Sequence, residues 1–145
     1  MKEITRVTIK GFSGYCSYDD GYEDKLILTQ ESISYEYTPV VETDINPKRK
    51  WRYSTNSPFF ASVFKNIACL IEELINSGLD GCCLDIGGIE FSLSYSDKTK
   101  LKKRYWLPAD DFDHIFSIIK KLVPQAENIP TVLLTEQDFE EESRN

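Results

Sequence analysis

The sequence has little of what an active site is usually built from. It contains one histidine, His114, and none of its four cysteines form the C-x-x-C pair of a zinc site. A serine hydrolase needs a base beside its nucleophile, and no G-x-S-x-G motif is present. His114 falls off the apolar stripe of a predicted helix, so we expect it to be exposed. The sequence therefore predicts no metal, no cofactor and no catalytic centre, and an enzyme is the less favoured alternative.

Glycine-rich loops and long apolar runs are missing as well. Gly87 and Gly88 precede a predicted strand, whereas the glycines that hold phosphate groups in nucleotide-binding loops precede a helix. No segment reaches the roughly 18–20 apolar residues that a membrane span needs. The first six residues lack the apolar core of a secretory signal. We therefore expect a cytoplasmic protein that binds neither nucleotides nor membranes.

The cysteines are predicted to be structural. Cys69 lies in an apolar helical run, and Cys82 and Cys83 begin a predicted strand. Free cysteines often serve as small buried hydrophobic residues, which is the interpretation we favour. Cys16 lies in a polar loop, where a redox or nucleophilic role is the less favoured alternative.

The charge balance is acidic, with a formal net charge of −7. Such a chain repels the phosphate backbone, so we expect no nucleic-acid partner. Two local segments are nevertheless basic, Lys48–Arg52 and Lys98–Arg104. We interpret both as solvated charge in turns and at strand edges, where lysine also opposes edge-to-edge aggregation.

The apolar periodicity predicts one α+β domain over residues 1–135, followed by an acidic, flexible tail over residues 136–145. Strands come in consecutive runs, which favours an antiparallel sheet of about six or seven strands with two helices on one face. The predicted order is ββββ-α-βββ-α. The predicted strands are 4–12, 25–29, 32–38, 50–54, 82–86, 89–96 and 101–107.

The sequence contains residues typical of the start and the end of each predicted helix. Ser57 and Pro58 are typical of a helix start, and Gly78 of a helix end. The second helix is predicted to begin at Asp110–Asp111 and to end before Pro124. Each helix carries apolar residues at spacings of three and four, as expected for one buried face.

The clearest two-residue alternation lies in residues 89–96, where apolar side chains alternate with Glu90, Ser92 and Ser94. One face of such a strand packs and the other meets water. In the next strand the same parity puts Arg104 and Trp106 on the wet face. An exposed tryptophan beside an arginine is typical of a binding hot spot. The alternative is that Trp106 covers the sheet edge or packs under residues 129–134.

A second candidate site is the loop Tyr15–Asp24, which mixes tyrosines with carboxylates. Such residues are common in protein interfaces. Its carboxylates are also a possible cation site, but they lack the alternating spacing of an EF-hand loop. A plain solvated loop is the third alternative. The candidate partner-binding residues of this loop are Tyr15, Tyr18, Asp19, Asp20 and Tyr22.

These features favour a small acidic module that binds another protein. One version is an antidote or immunity protein, because an acidic surface steers binding to a basic toxin. The main alternative is a ligand-binding protein or enzyme with a pocket between sheet and helices. Another is a homodimer formed through a sheet edge. The predicted pocket residues are Tyr35, Tyr37, Trp51 and Tyr53.

Overall fold

A computed structural model describes residues 3–12, 22–44, 47–77, 88–105 and 113–123. Within them the chain forms six strands and two helices. The elements are β1 (Ile4–Phe12), β2 (Tyr22–Leu28), β3 (Ser32–Pro39), β4 (Arg49–Ser54), α1 (Pro58–Asn76), β5 (Gly88–Tyr95), β6 (Lys100–Tyr105) and α2 (Asp113–Lys120).

The six strands form one antiparallel sheet in the order β4-β3-β2-β1-β5-β6. The first four strands make a meander, and the chain then crosses through α1 to pair β5 with the free side of β1. One helix follows the fourth strand and the other follows the last. The predicted α+β class, with its antiparallel sheet and two helices, is confirmed.

Some predicted segments lie outside the described residues. These include the strand at 82–86, the turn at Gly87, the apolar patch at 129–134 and the tail at 136–145. Within the described sheet, β5 already pairs with β1 on one side and with β6 on the other. Both of its hydrogen-bonding edges are therefore occupied.

The core lies on one side of the sheet, where both helices pack. Phe64 and Ile67 of α1 are fully buried, and Phe116 of α2 packs against Phe91 of β5, with ring centroids 6.4 Å apart. Residues of both helices belong to the same apolar cluster as the inward side chains of the sheet. The predicted apolar stripes of both helices are therefore confirmed as their buried faces. Neither helix in the described ranges is long and apolar enough to cross a membrane.

Three local predictions need correction. Strand β2 begins at Tyr22, three residues earlier than predicted, because its first residues already pair with both neighbouring strands. Two-residue alternation places Thr5 on the same face as Val7 and Ile9, but Ile4 packs against the core instead, since the β1–β5 register shifts between Ile4 and Arg6. Cys69 is exposed, because it lies beside the buried stripe of α1 and not within it.

Candidate functional site

The sheet has an open face on the side away from the two helices. Side chains alternate along each strand, so residues next to the buried ones point to this face. No described helix packs against it, and its side chains keep part of their surface in water. The residues at its centre are uncharged and are small or β-branched. The central residues are Thr8, Ile27, Ser34 and Ser92.

The open face is basic, although the chain as a whole is acidic. It carries eight cations and three carboxylates, a net charge of +5, whereas the whole chain carries −7. The rest of the chain therefore carries −12. The cations are Arg6, Lys10, Lys25, Lys50, Arg52, Lys100, Lys102 and Arg104, and the carboxylates are Glu23, Glu36 and Glu90.

Six of these charges form one row across the strands. At its middle, Lys10 of β1 lies directly opposite Lys25 of β2, and both are half-buried. Like charges directly opposite on neighbouring strands repel. On its outer side each lysine has a glutamate as its next cross-strand neighbour. In sheet order the row is Lys50, Glu36, Lys25, Lys10, Glu90 and Arg104.

Arg104 ends this row and is the one residue of the predicted Arg104 and Trp106 hot spot that the structure describes. Its Nη2 lies 3.6 Å from Oε2 of Glu90, and its guanidinium carbon lies 4.4 Å from the ring centre of Phe12. The side chain is still 43% exposed. Arg104 is thus held in place on the open face and remains accessible there. Trp106 lies outside the described residues.

At the β4 side of the open face lies a shallow depression of about 550 Å³. Arg52 provides its cation, and several hydroxyl groups line it. The hydroxyl oxygens of Thr29 and Ser32 lie 2.8 Å apart in a hydrogen bond. The carboxylate of Glu31 also lines this depression, so it opposes the charge of Arg52 and the depression by itself does not select an anion.

Both basic segments noticed in the sequence prove to be edge strands of the described sheet. Lys50 and Arg52 lie on β4 at one edge, and Lys102 and Arg104 lie on β6 at the other. The predicted placement of this charge at strand edges is therefore confirmed. Cations thus lie on both edge strands of the open face, and Lys10 and Lys25 lie on its two central strands beside the uncharged centre.

The four predicted pocket residues are mostly packed against one another and against the core. Tyr35 and Tyr37 are buried, and the Tyr35 ring centroid lies 5.8 Å from that of Trp51. The Tyr35 hydroxyl donates a 2.8 Å hydrogen bond to Oδ2 of the buried Asp24. Tyr53 is 46% exposed. The pocket between sheet and helices stays a prediction.

The end of the tyrosine-rich loop belongs to β2. Tyr22 stacks on Tyr37 with ring centroids 5.5 Å apart, and Arg49 lies over the Tyr37 ring at 4.3 Å. Tyr22 is half-buried on the core side of the sheet. Its role in partner binding stays a prediction. Tyr15, Tyr18, Asp19 and Asp20 lie outside the described residues.

No protein-family model and no curated protein matches this chain. Its function is therefore inferred from the geometry of the chain itself.

A second cleft, of about 290 Å³, runs between α1 and the start of β1. It is lined by Glu3, Lys65, Cys69 and Glu72, among others. Glu72 accepts a 2.6 Å hydrogen bond from the hydroxyl of Tyr95. Burial, together with this bond and the charges of Glu72 and Asp97, raises the pKa of Tyr95 to about 12.

In the described part of the chain, no three histidine, cysteine or acidic residues cluster as metal ligands.

His114 is exposed on α2, as its position off the apolar stripe predicts. The basic open face, in contrast, was not predicted. Its signal is present in the sequence, since Lys10 and Lys25 each alternate with buried residues of their own strand. Their meeting across β1 and β2 depends on the strand register, which only the folded sheet defines.

Proposed function

We propose that this chain is a protein-interaction module that binds its partner through the open face of the sheet. The observation that carries the proposal is a net charge of +5 on a sheet face that no described helix covers. Small side chains at the centre with charge around them resemble an interface, in which a less charged core is surrounded by a polar rim.

The packing of the aromatic residues supports this proposal over the pocket alternative. A ligand site usually needs a concave, mostly apolar cavity with a few convergent polar groups. Tyr35 and Trp51 instead contact each other, and the depression near Arg52 is open and polar. A small-ligand protein or an enzyme is therefore the second candidate function.

An antidote role against a basic toxin stays a prediction, because it depends on the net charge of the whole chain. The charge of the open face favours an acidic partner for this particular surface. A homodimer through a sheet edge also stays a prediction. Cations on β4 and β6 oppose pairing of either edge with its own copy.

Photo-crosslinking in the native host tests the proposal. A photoreactive phenylalanine analogue replaces Thr8 at the centre of the open face, and a matched variant carries it at the exposed Asn66 on α1. We expect a discrete crosslinked protein of defined mass from position 8 and none from position 66. The absence of a product at position 8, or the same product from both positions, would contradict the proposal.

A further inference from the structure

We propose that the partner presents an acidic, extended polypeptide segment, and that its carboxylates bind the row of charges centred on Lys10 and Lys25. This inference rests on the proposed function and names the chemistry of the partner. It is carried by the charge pattern of the open face and by the strand register that produces it.

The central lysines supply the first argument. Lys10 and Lys25 lie directly opposite each other and are half-buried among their neighbours, and neither ammonium makes an ion pair within the described residues. A carboxylate placed between the two ammonium groups would accept hydrogen bonds from both and remove their repulsion. Glu36 and Glu90 flank the pair and repel an anion from the positions on either side. Along this row an anion is therefore attracted most strongly to the point between the two lysines.

The dimensions of the row supply the second argument. Six strands at a spacing of about 4.8 Å span about 24 Å. An extended peptide advances about 3.4 Å per residue, so about seven residues cover the row. Such a segment can place one carboxylate at Lys10 and Lys25 and another at either end. The end positions are Arg104 on one side and the Lys50 and Arg52 edge on the other.

The open face favours a protein partner over a nucleic acid. Sheets that bind single-stranded nucleic acid stack the bases on exposed aromatic rings. Among the described residues of the open face only Phe12 is aromatic, and the guanidinium of Arg104 covers it. Carboxylates are also interspersed with the cations and would repel a continuous phosphate backbone. The mixed charges suit a polypeptide that carries both acidic and neutral residues.

Fluorescence anisotropy with the full chain tests the inference. The probe is a labelled seven-residue peptide with glutamate at positions 1, 4 and 7 and serine elsewhere. One control peptide carries glutamine in place of glutamate, and one control probe is a single-stranded oligonucleotide of the same charge. We expect saturable binding of the acidic peptide and no binding of the neutral one. Binding should weaken from about 10 mM to about 100 mM salt, as the screening length falls from about 30 Å to about 10 Å.

Two double variants with the same change in net charge locate the contact. Lys10→Gln with Lys25→Gln should weaken peptide binding about tenfold, which lies within the range for two surface ion pairs. Lys65→Gln with Lys121→Gln removes two exposed cations outside the face and should leave the affinity within about twofold. Circular dichroism melts verify that both variants fold.

Three results would overturn the inference. In the first, both double variants weaken peptide binding equally. In the second, the oligonucleotide binds more tightly than the peptide. In the third, the peptide does not bind at low salt. If the crosslink at position 8 still forms in any of these cases, the proposed function stands and only the acidic chemistry of the partner is wrong. If no crosslink forms while the peptide binds as expected, the proposed function fails and only the anion-binding site on the open face remains.

Discussion

The hydroxyl of Tyr95 donates a 2.6 Å hydrogen bond to Oε2 of Glu72, joining strand β5 to helix α1. The two residues are 23 positions apart in the sequence, on either side of residues 78–87. Tyr95 lies in the core cluster, and its ring is buried. A charge-assisted bond of this kind connects the helical layer to the sheet at one defined point.

This bond predicts a pH dependence of stability at alkaline pH. The pKa of Tyr95 is raised from 10.0 to about 12, first by burial and then by Glu72. The neutral hydroxyl therefore contributes stability that is fully present below pH 10 and is lost as the pH rises to about 12. Tyr95→Phe should lower the free energy of unfolding by about 1–2 kcal/mol at pH 8.

Urea unfolding of both proteins between pH 8 and pH 12 measures this effect. The difference between the native chain and Tyr95→Phe should be constant up to about pH 10 and should then shrink. Lysine titration affects both proteins alike and cancels in the difference. A difference that stays constant to pH 12 would show that the raised pKa is not linked to stability.

The buried bond between Tyr35 and Asp24 predicts a second stability effect. Tyr35→Phe removes the donor of a 2.8 Å hydrogen bond to a carboxylate that is 1% exposed. Loss of a hydrogen-bond partner by this buried carboxyl group should cost about 1–3 kcal/mol. Tyr53→Phe removes a hydroxyl from a residue 46% exposed and should change stability by less than about 0.5 kcal/mol. Equal unfolding midpoints of the two variants would refute this prediction.

Two adjacent phenylalanines at the start of α1 provide a matched test of the core. Phe60 is 5% exposed and Phe59 is 72% exposed. Phe60→Ala should lower the free energy of unfolding by about 3–4 kcal/mol, because it leaves a cavity under the helix. Phe59→Ala should change it by less than about 0.5 kcal/mol. Thermal melts of both variants measure the difference, and similar losses would mean that the register of α1 is wrong.

The basic edge strand β4 predicts resistance to self-association. Lys50 and Arg52 lie on the outer strand of the described sheet, next to unpaired backbone groups. Replacing both with valine should promote edge-to-edge pairing, because charge that opposes self-association is lost and β-propensity is gained. Sizing chromatography over a range of concentrations should then show larger species than for the native chain. Lys65→Val on α1 is the control and should elute as the native chain does.

The helices were the most predictable part of this fold. Pro58 and the apolar stripe that follows it predict α1 almost to the residue, since helix periodicity is a local property. The strand positions were predicted to within a few residues, since the two-residue alternation of a strand is also a local property. Cys69 was placed wrongly because its helical run contains more apolar residues than the buried face can hold.

Alternation in the sequence determined which side chains of each strand share a face, because successive residues of a strand point to opposite sides. The composition of the sequence determined that the segments of β4 and β6 are basic. Only the tertiary structure decided which strands are neighbours. The crossing through α1 placed β5 beside β1, so Glu90 flanks Lys10 and Arg104 reaches Phe12. Charges distant in the sequence thereby form one row, because pairing depends on the topology of the whole sheet.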